Sequence, residues 1–258
     1  MTKSSSQPLL AATALALLLF ALELVLAGPR GYFESVRAAT AAVPVEIWHA
    51  ISTFGDERAL FAVLLPFSLR YRRLLWPIVL AAIIGWLFSY GIKHLVQQPR
   101  PGLFFPVEGV IYSSERSGHN SFPSSHVVMA FAFVGVWLTA LPARWALPLL
   151  ALASLVGVSR VAIGAHWPAD VLGGAVVGCV SACLGVRLGC LWQHIEWRHG
   201  HALLVAGMLV AAVSLPLVGH DAPGTLSLRI VLALVAAGAV LLLYARPCAG
   251  TTMSGAAR

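Results

Sequence analysis

Three short polar stretches interrupt an otherwise apolar chain of 258 residues, and their side chains suit the binding of an anion and the movement of protons. The first runs from Ser159-Arg160 to His166-Trp167-Pro168-Ala169-Asp170. Pro168 suits the first position of a helix, where its missing N–H is no loss. His166 then stands at the mouth of that helix and Asp170 in its first turn, four residues apart and able to share a face. A carboxylate so placed can orient an imidazole and fix its tautomer. The same residues also fit a plain salt-bridged helix end, with Arg160 paired to Asp170. Ionisable groups at a membrane boundary are costly unless paired or facing a cavity, so they suggest a site. The second stretch holds Lys93-His94 and Arg100-Pro101, and the third is Ser121-Phe122-Pro123-Ser124-Ser125-His126. Together the three supply fixed cations, hydroxyls, two imidazoles and a carboxylate. Guanidinium forks and an ammonium point charge suit phosphate oxygens, and free backbone N–H groups at a helix start add to them. Two imidazoles allow one nucleophile and one general acid. No acidic cluster suited to a metal is evident, so metal-free chemistry with no cofactor is expected.

The elements that must position these residues are membrane spans. The chain is 59% hydrophobic and 10% charged, a composition that indicates a polytopic membrane protein rather than a soluble domain. Lys and Arg number 17 against 10 Asp and Glu. No basic run interleaved with aromatics suggests a nucleic-acid groove, so the excess reads as cytoplasmic loops and an anion site. Cys179, Cys183 and Cys190 lie in one apolar segment and read as packing residues; with Cys248 they form neither a zinc spacing nor a disulfide framework. Oligomeric state is not legible.

Apolar runs place spans at Pro8–Ala27, Leu74–Ile92, Val127–Leu141, Trp145–Ser159, Pro168–Cys190, Ala202–Val218 and Leu226–Tyr244. A further span is expected between Pro44 and Leu69, although Asp56, Glu57 and Arg58 interrupt it and Ala59–Leu69 alone cannot cross about 30 Å. Counting it gives eight spans with both termini inside. The Arg70, Arg72 and Arg73 cluster belongs in the cytoplasm by the positive-inside bias, which puts all three polar stretches on the opposite face.

The three spaced motifs resemble the type 2 phosphatidic acid phosphatase superfamily, which includes bacterial lipid phosphatases and the vanadium haloperoxidases. The family pattern is Lys, six residues, Arg-Pro; then Pro-Ser-Gly-His; then Ser-Arg, five residues, His, three residues, Asp. Lys93 with Arg100-Pro101 matches the first, Pro123-Ser124-Ser125-His126 the second except that Ser125 replaces Gly, and Ser159-Arg160 with His166 and Asp170 the third. The resemblance covers roughly Trp48 to Cys190. It implies an all-α, polytopic membrane bundle with a six-helix phosphatase core and two extra C-terminal transmembrane helices. The expected division is residues 1–47 as an N-terminal helix and loop, 48–191 as the core, and 192–258 as the added helices and tail. It implies His166 as nucleophile, Asp170 as its orienting carboxylate and His126 as acid to the leaving oxygen. Lys93, Arg100, Ser124, Arg160 and the Ser125 backbone would bind the phosphate. Among nearby candidates, Ser117-Gly118-His119 lacks the preceding Pro, His94 points to another helix face, and Asp56 with Glu57 reads as a capping or packing pair. Trp167 is a candidate wall of the site.

The function so implied is a metal-independent phosphatase of a lipid phosphomonoester or pyrophosphate, in a bacterial inner (plasma) membrane, with its site facing the periplasm or exterior. Undecaprenyl pyrophosphate or a glycerophospholipid phosphate is the favoured substrate, and lipid A phosphate the alternative. A lipid-to-lipid phosphotransferase would use the same site. A non-catalytic lipid transporter or binder would share the spans and buried charges, but no broken-helix repeat is evident.

Overall fold

A computed structural model describes residues 6–28, 30–105, 120–192, 200–217 and 224–244. These residues form an all-α bundle of ten helices: α1 (Gln7–Leu26), α2 (Phe33–Thr40), α3 (Val45–Thr53), α4 (Glu57–Leu64), α5 (Arg72–Val96), α6 (Ser125–Leu138), α7 (Ala146–Ala162), α8 (Pro168–Trp192), α9 (Gly200–Ser214) and α10 (Leu226–Tyr244). Helices α1, α5, α7, α8 and α10 are long and apolar enough to cross a membrane. Leucines such as Leu18, Leu87, Leu155 and Leu242 are exposed on their outer faces, as a lipid-facing surface requires. The protein is an integral membrane protein.

The heart of the bundle is α6, α8 and α5. Eleven of the fourteen residues of α6 are buried, so at about 21 Å long it is wrapped by other helices. The close approach of α8 rests on small residues. A Cβ added at Gly178 would lie 2.5 Å from the Val128 carbonyl oxygen on α6, and one at Gly185 2.6 Å from the Pro77 oxygen on α5. In lipid, where apolar burial does not drive helices together, such backbone-to-backbone packing does. It also fixes the first turns of α6 and α8 relative to each other, which carry two of the three polar stretches.

The interrupted segment between Pro44 and Leu69 forms two short helices, α3 and α4 (nine and eight residues), not one. Gly224 abuts Glu46 at one end and Tyr244 Oη lies 3.2 Å from Ser68 Oγ at the other. The segment therefore runs the length of α10. The break falls at Phe54-Gly55-Asp56. Asp56 restarts the helix as its N-cap, accepting the Arg58 N–H at 2.9 Å, which satisfies one donor left open at a helix start. The N-terminal α1 lies along α8, and Phe20 stacks on Phe122. Helices α9 and α10 pack on each other and on α4.

Candidate active site

The spacing of the Ser159–Asp170 stretch is built by one continuous run of caps. Helix α7 ends with Gly164 at φ 74°, a conformation that suits glycine. The Gly164 N–H donates to the Val161 carbonyl and the Ala165 N–H to that of Arg160, at 2.9 and 3.0 Å. This is the double closure that ends helices at a left-handed glycine. The chain then restarts almost at once. Trp167 precedes Pro168, the first residue of α8, and the Trp167 N–H donates to Asp170 Oδ2 at 2.9 Å. That is the reciprocal half of a capping box, an acid in the first turn reaching back to the open N–H. His166 is caught between the two caps, 2% exposed.

Asp170 Oδ2 is the hub. It stands 3.3 Å from His166 Nδ1 and accepts the Ser121 hydroxyl proton as well. With Nδ1–H directed at the carboxylate, the lone pair of the imidazole lies on Nε2. Burial, with Arg100, Arg160 and Lys93 adding to it, holds His166 well below the usual histidine range; desolvation and neighbouring cations both disfavour the imidazolium form. The neutral ring is the form that can attack phosphorus. The alternative pairing of Arg160 with Asp170 does not occur: Asp170 is taken up by His166, Ser121 and the Trp167 N–H, while Arg160 donates to Ser52 Oγ on α3.

The remaining cations hold the loops of the site. Lys93 Nζ, at the end of α5, donates to the carbonyls of Asn120, Ser121 and Pro123 at 2.9, 3.3 and 2.7 Å. Arg100 donates to the carbonyls of Ala165 and Asn120 at 3.2 and 3.4 Å. So the Lys93–Pro101 stretch clamps the other two together. Ser124 occupies the N-cap of α6, yet its side chain makes no capping bond, and its Oγ is buried with no partner. Asp170 Oδ1 is likewise buried without a partner. A buried hydroxyl and uncapped backbone N–H groups are the donors an anion at a helix start requires.

His126 follows in the first turn of α6 and lies within electrostatic reach of His166. A Cβ at Gly55 would fall 2.6 Å from His126 Cβ, so the break between α3 and α4 is seated directly against this histidine. His94 is exposed and meets the Tyr90 ring edge-to-face, 4.3 Å between centroids. Ser117, Gly118 and His119 lie outside the described residues. Among those described, no group of three His, Cys, Asp or Glu side chains could hold a metal ion.

Sequence reasoning passed over Ser52, Ser89 and Gly55, and gave Ser121 no role. Ser89 matters to the one departure from the motif. Its hydroxyl, on α5, lies 2.9 Å from Ser125 Oγ, so the Ser125 side chain binds a neighbouring helix and leaves its backbone N–H toward the site. Ser125→Gly would strand the buried Ser89 hydroxyl, which costs about 1–3 kcal/mol. We expect Ser125→Gly to lower the unfolding temperature in detergent while leaving kcat near wild type. The double variant with Ser89→Ala should recover much of the lost stability. A large fall in kcat for Ser125→Gly would instead assign the Ser125 hydroxyl to catalysis.

Residues 59–192 match the PAP2 superfamily. The chain is 32% identical over 134 residues to YbjG of Escherichia coli (strain K12), across 51% of this chain and 62% of that protein. It is 30% identical to the lipid A 1-phosphatase of Rhizobium johnstonii, across 43% of this chain and 48% of the relative. It is 30% identical to the undecaprenyl-diphosphatase of Sulfolobus acidocaldarius, across 54% and 67%. The chain thus spans about half to two thirds of the length of these relatives. The crystal structure of Aquifex aeolicus LpxE superposes with a TM-score of 0.51 at 25% identity, covering 60% of this chain and 93% of that one. The matched segment takes in α5 to α8 with the loops between them, which carry Lys93, Arg100, Ser121, Ser124, His126, Arg160, His166 and Asp170, and it is more than half of the chain, which therefore belongs to the PAP2 superfamily.

Proposed function

We propose that this chain is a metal-independent lipid phosphatase that works through a phosphohistidine. The observation that carries the proposal is the buried His166 imidazole, its Nδ1 aligned by Asp170 and Ser121, among three cations and beside an uncapped helix start. Lys93, Arg100, Arg160, Ser124 and the Ser125 N–H hold the phosphate oxygens. His166 Nε2 attacks phosphorus, the P–O bond to the lipid breaks, and His126 protonates the departing oxygen. The negative charge of the bound phosphate favours the imidazolium form that His126 needs. Water, deprotonated by His126, then breaks the N–P bond and releases inorganic phosphate, returning both histidines to their starting states. Asp170 stabilises the cationic imidazole ring during the covalent stage.

The site lies at the membrane end opposite Arg70, Arg72 and Arg73, which supports a site facing the periplasm or exterior of an inner (plasma) membrane. The short α6 sets His126 and Ser124 just below that surface, where a lipid headgroup can arrive by lateral sliding. An isoprenoid pyrophosphate or a glycerophospholipid phosphate is the proposed substrate class; the likeness to a lipid A 1-phosphatase supports a phosphorylated glycolipid as a second reading. Purified full-length protein in detergent with EDTA should release phosphate from a lipid pyrophosphate or phosphomonoester. No release from a panel of such lipids would overturn the proposal.

A further inference from the structure

The turn between α1 and α2 lies outside the family match, yet it closes over the first turn of α8. Gly28 and Gly31 both take positive φ, 73° and 50°. A Cβ at Gly31 would fall 1.8 Å from Glu23 Oε1 and 3.6 Å from Pro168. Glu23, a carboxylate within α1, also lies within electrostatic reach of the Tyr32 backbone N–H. The turn is therefore pinned between an acid of α1 and the residue two places beyond His166. This places Arg30, exposed, over two rings: its guanidinium carbon is 4.3 Å from the Phe104 centroid and 5.8 Å from that of Trp167. Trp167 itself is fixed by its indole N–H to the Pro99 carbonyl at 2.7 Å and by Phe33 against its edge. Beside it opens a cleft of ≈ 300 Å³ lined by Arg30, Tyr32, Phe33, Ser35, Phe105 and Trp167, with Glu34 at the start of α2.

We infer that this cleft is a headgroup subsite in which Arg30 binds a second anionic group of the substrate, separated from the phosphate under attack by a hydroxyl-bearing spacer. The inference rests on the catalytic reading above and deepens it. The chemistry follows from the lining. With Phe33 and Trp167 buried beneath, the Tyr32 and Phe105 rings suit the apolar face of a ring, the Ser35 hydroxyl and the Glu34 carboxylate suit hydroxyl groups, and a guanidinium stacked on aromatic rings is pre-organised for a phosphate or carboxylate fork. The volume is at the lower end of small-ligand pockets, enough for a headgroup and not for a lipid chain. Arg30 lies on the ring of Trp167 and not among the contacts of His166. An anion held there stands on the Trp167 ring, apart from the cations that act on His166, whereas the two phosphorus atoms of a simple diphosphate share one oxygen and would sit among those same cations.

Two substrate pairs with matched acyl or prenyl chains separate these sources of a second anion. One is a glucosamine-based lipid carrying two phosphates at opposite ends of its headgroup, against the same lipid lacking the distal phosphate. The other is a polyprenyl diphosphate against the monophosphate. For Arg30→Ala and Arg30→Gln in the full chain, KM for the doubly phosphorylated glycolipid should rise about tenfold, as for loss of one charge-assisted contact. Its kcat, and both parameters on the singly phosphorylated lipid and on an aryl phosphate, should stay near wild type. Selective loss on the polyprenyl diphosphate, equal loss on all substrates, or no change on any overturns the inference. Binding of the doubly phosphorylated lipid to His166→Ala protein, with and without Arg30→Ala, gives a readout independent of turnover. About tenfold weaker binding is expected, and equal affinities would overturn the subsite. Absence of turnover by the unaltered protein would strike the catalytic reading alone.

Discussion

Replacing His166 with alanine is expected to abolish phosphate release from every substrate, a loss on the order of 10⁴-fold or more, because no N–P bond can form. The geometry makes the effect specific. The ring is buried between two helix caps whose hydrogen bonds come from the backbone of Ala165 and Trp167 and from the Asp170 carboxylate, so they survive loss of the imidazole. Asp170 keeps two of its three partners, Ser121 and the Trp167 N–H. The variant should therefore fold and still bind a phosphorylated lipid. Brief incubation with a substrate labelled in its phosphate, followed by alkaline quench, should leave label on wild-type protein and none on His166→Ala. Label on the variant, or turnover within tenfold of wild type, would remove His166 from the nucleophile's role.

How much of this site could be read in the chain depends on how local its causes are. The run from Arg160 to Asp170 is legible because a proline at a helix start and an acid in the first turn are local devices that set imidazole and carboxylate on one face; the left-handed Gly164 that ends α7 is equally local but was passed over. The segment between Pro44 and Leu69 is legible as apolar and interrupted, but not as two separate helices. Its break is set by Gly55 meeting His126, a contact between residues far apart in sequence that composition does not carry. The partners of Arg160 and Ser125 are hidden for the same reason. Ser52 lies on α3 and Ser89 on α5, and one serine in an apolar run looks like any other until the helices are packed. Lys93 is a different case. Its type and spacing suggest a phosphate ligand, whereas its three carbonyl acceptors show that it also ties the Asn120–Pro123 loop to α5. Arg30 left no signal, since its role depends on a turn folding back onto α8 from outside the matched segment.

His126 offers the sharper test of the chemistry, because its task depends on the leaving group. A lipid alkoxide departs poorly without a proton, so His126→Ala should lose on the order of 10²–10⁴-fold on a lipid phosphate, the usual worth of a general acid. A nitrophenolate departs unaided, so the same variant should keep much more of its rate on nitrophenyl phosphate. Misfolding would lower both rates together, and the packing argues against it. The atoms of His126 that meet Gly55 are its Cβ and backbone oxygen, at 2.6 and 3.0 Å from the added Cβ position, and alanine retains both. The seat of the α3–α4 break is thus preserved while the imidazole is removed. The ratio of the two losses, each taken against wild type, is the quantity to measure. A ratio well above one assigns the proton to His126. Equal losses on both substrates would deny it that role, and a variant dead on nitrophenyl phosphate with His166→Ala still active would exchange the two histidines.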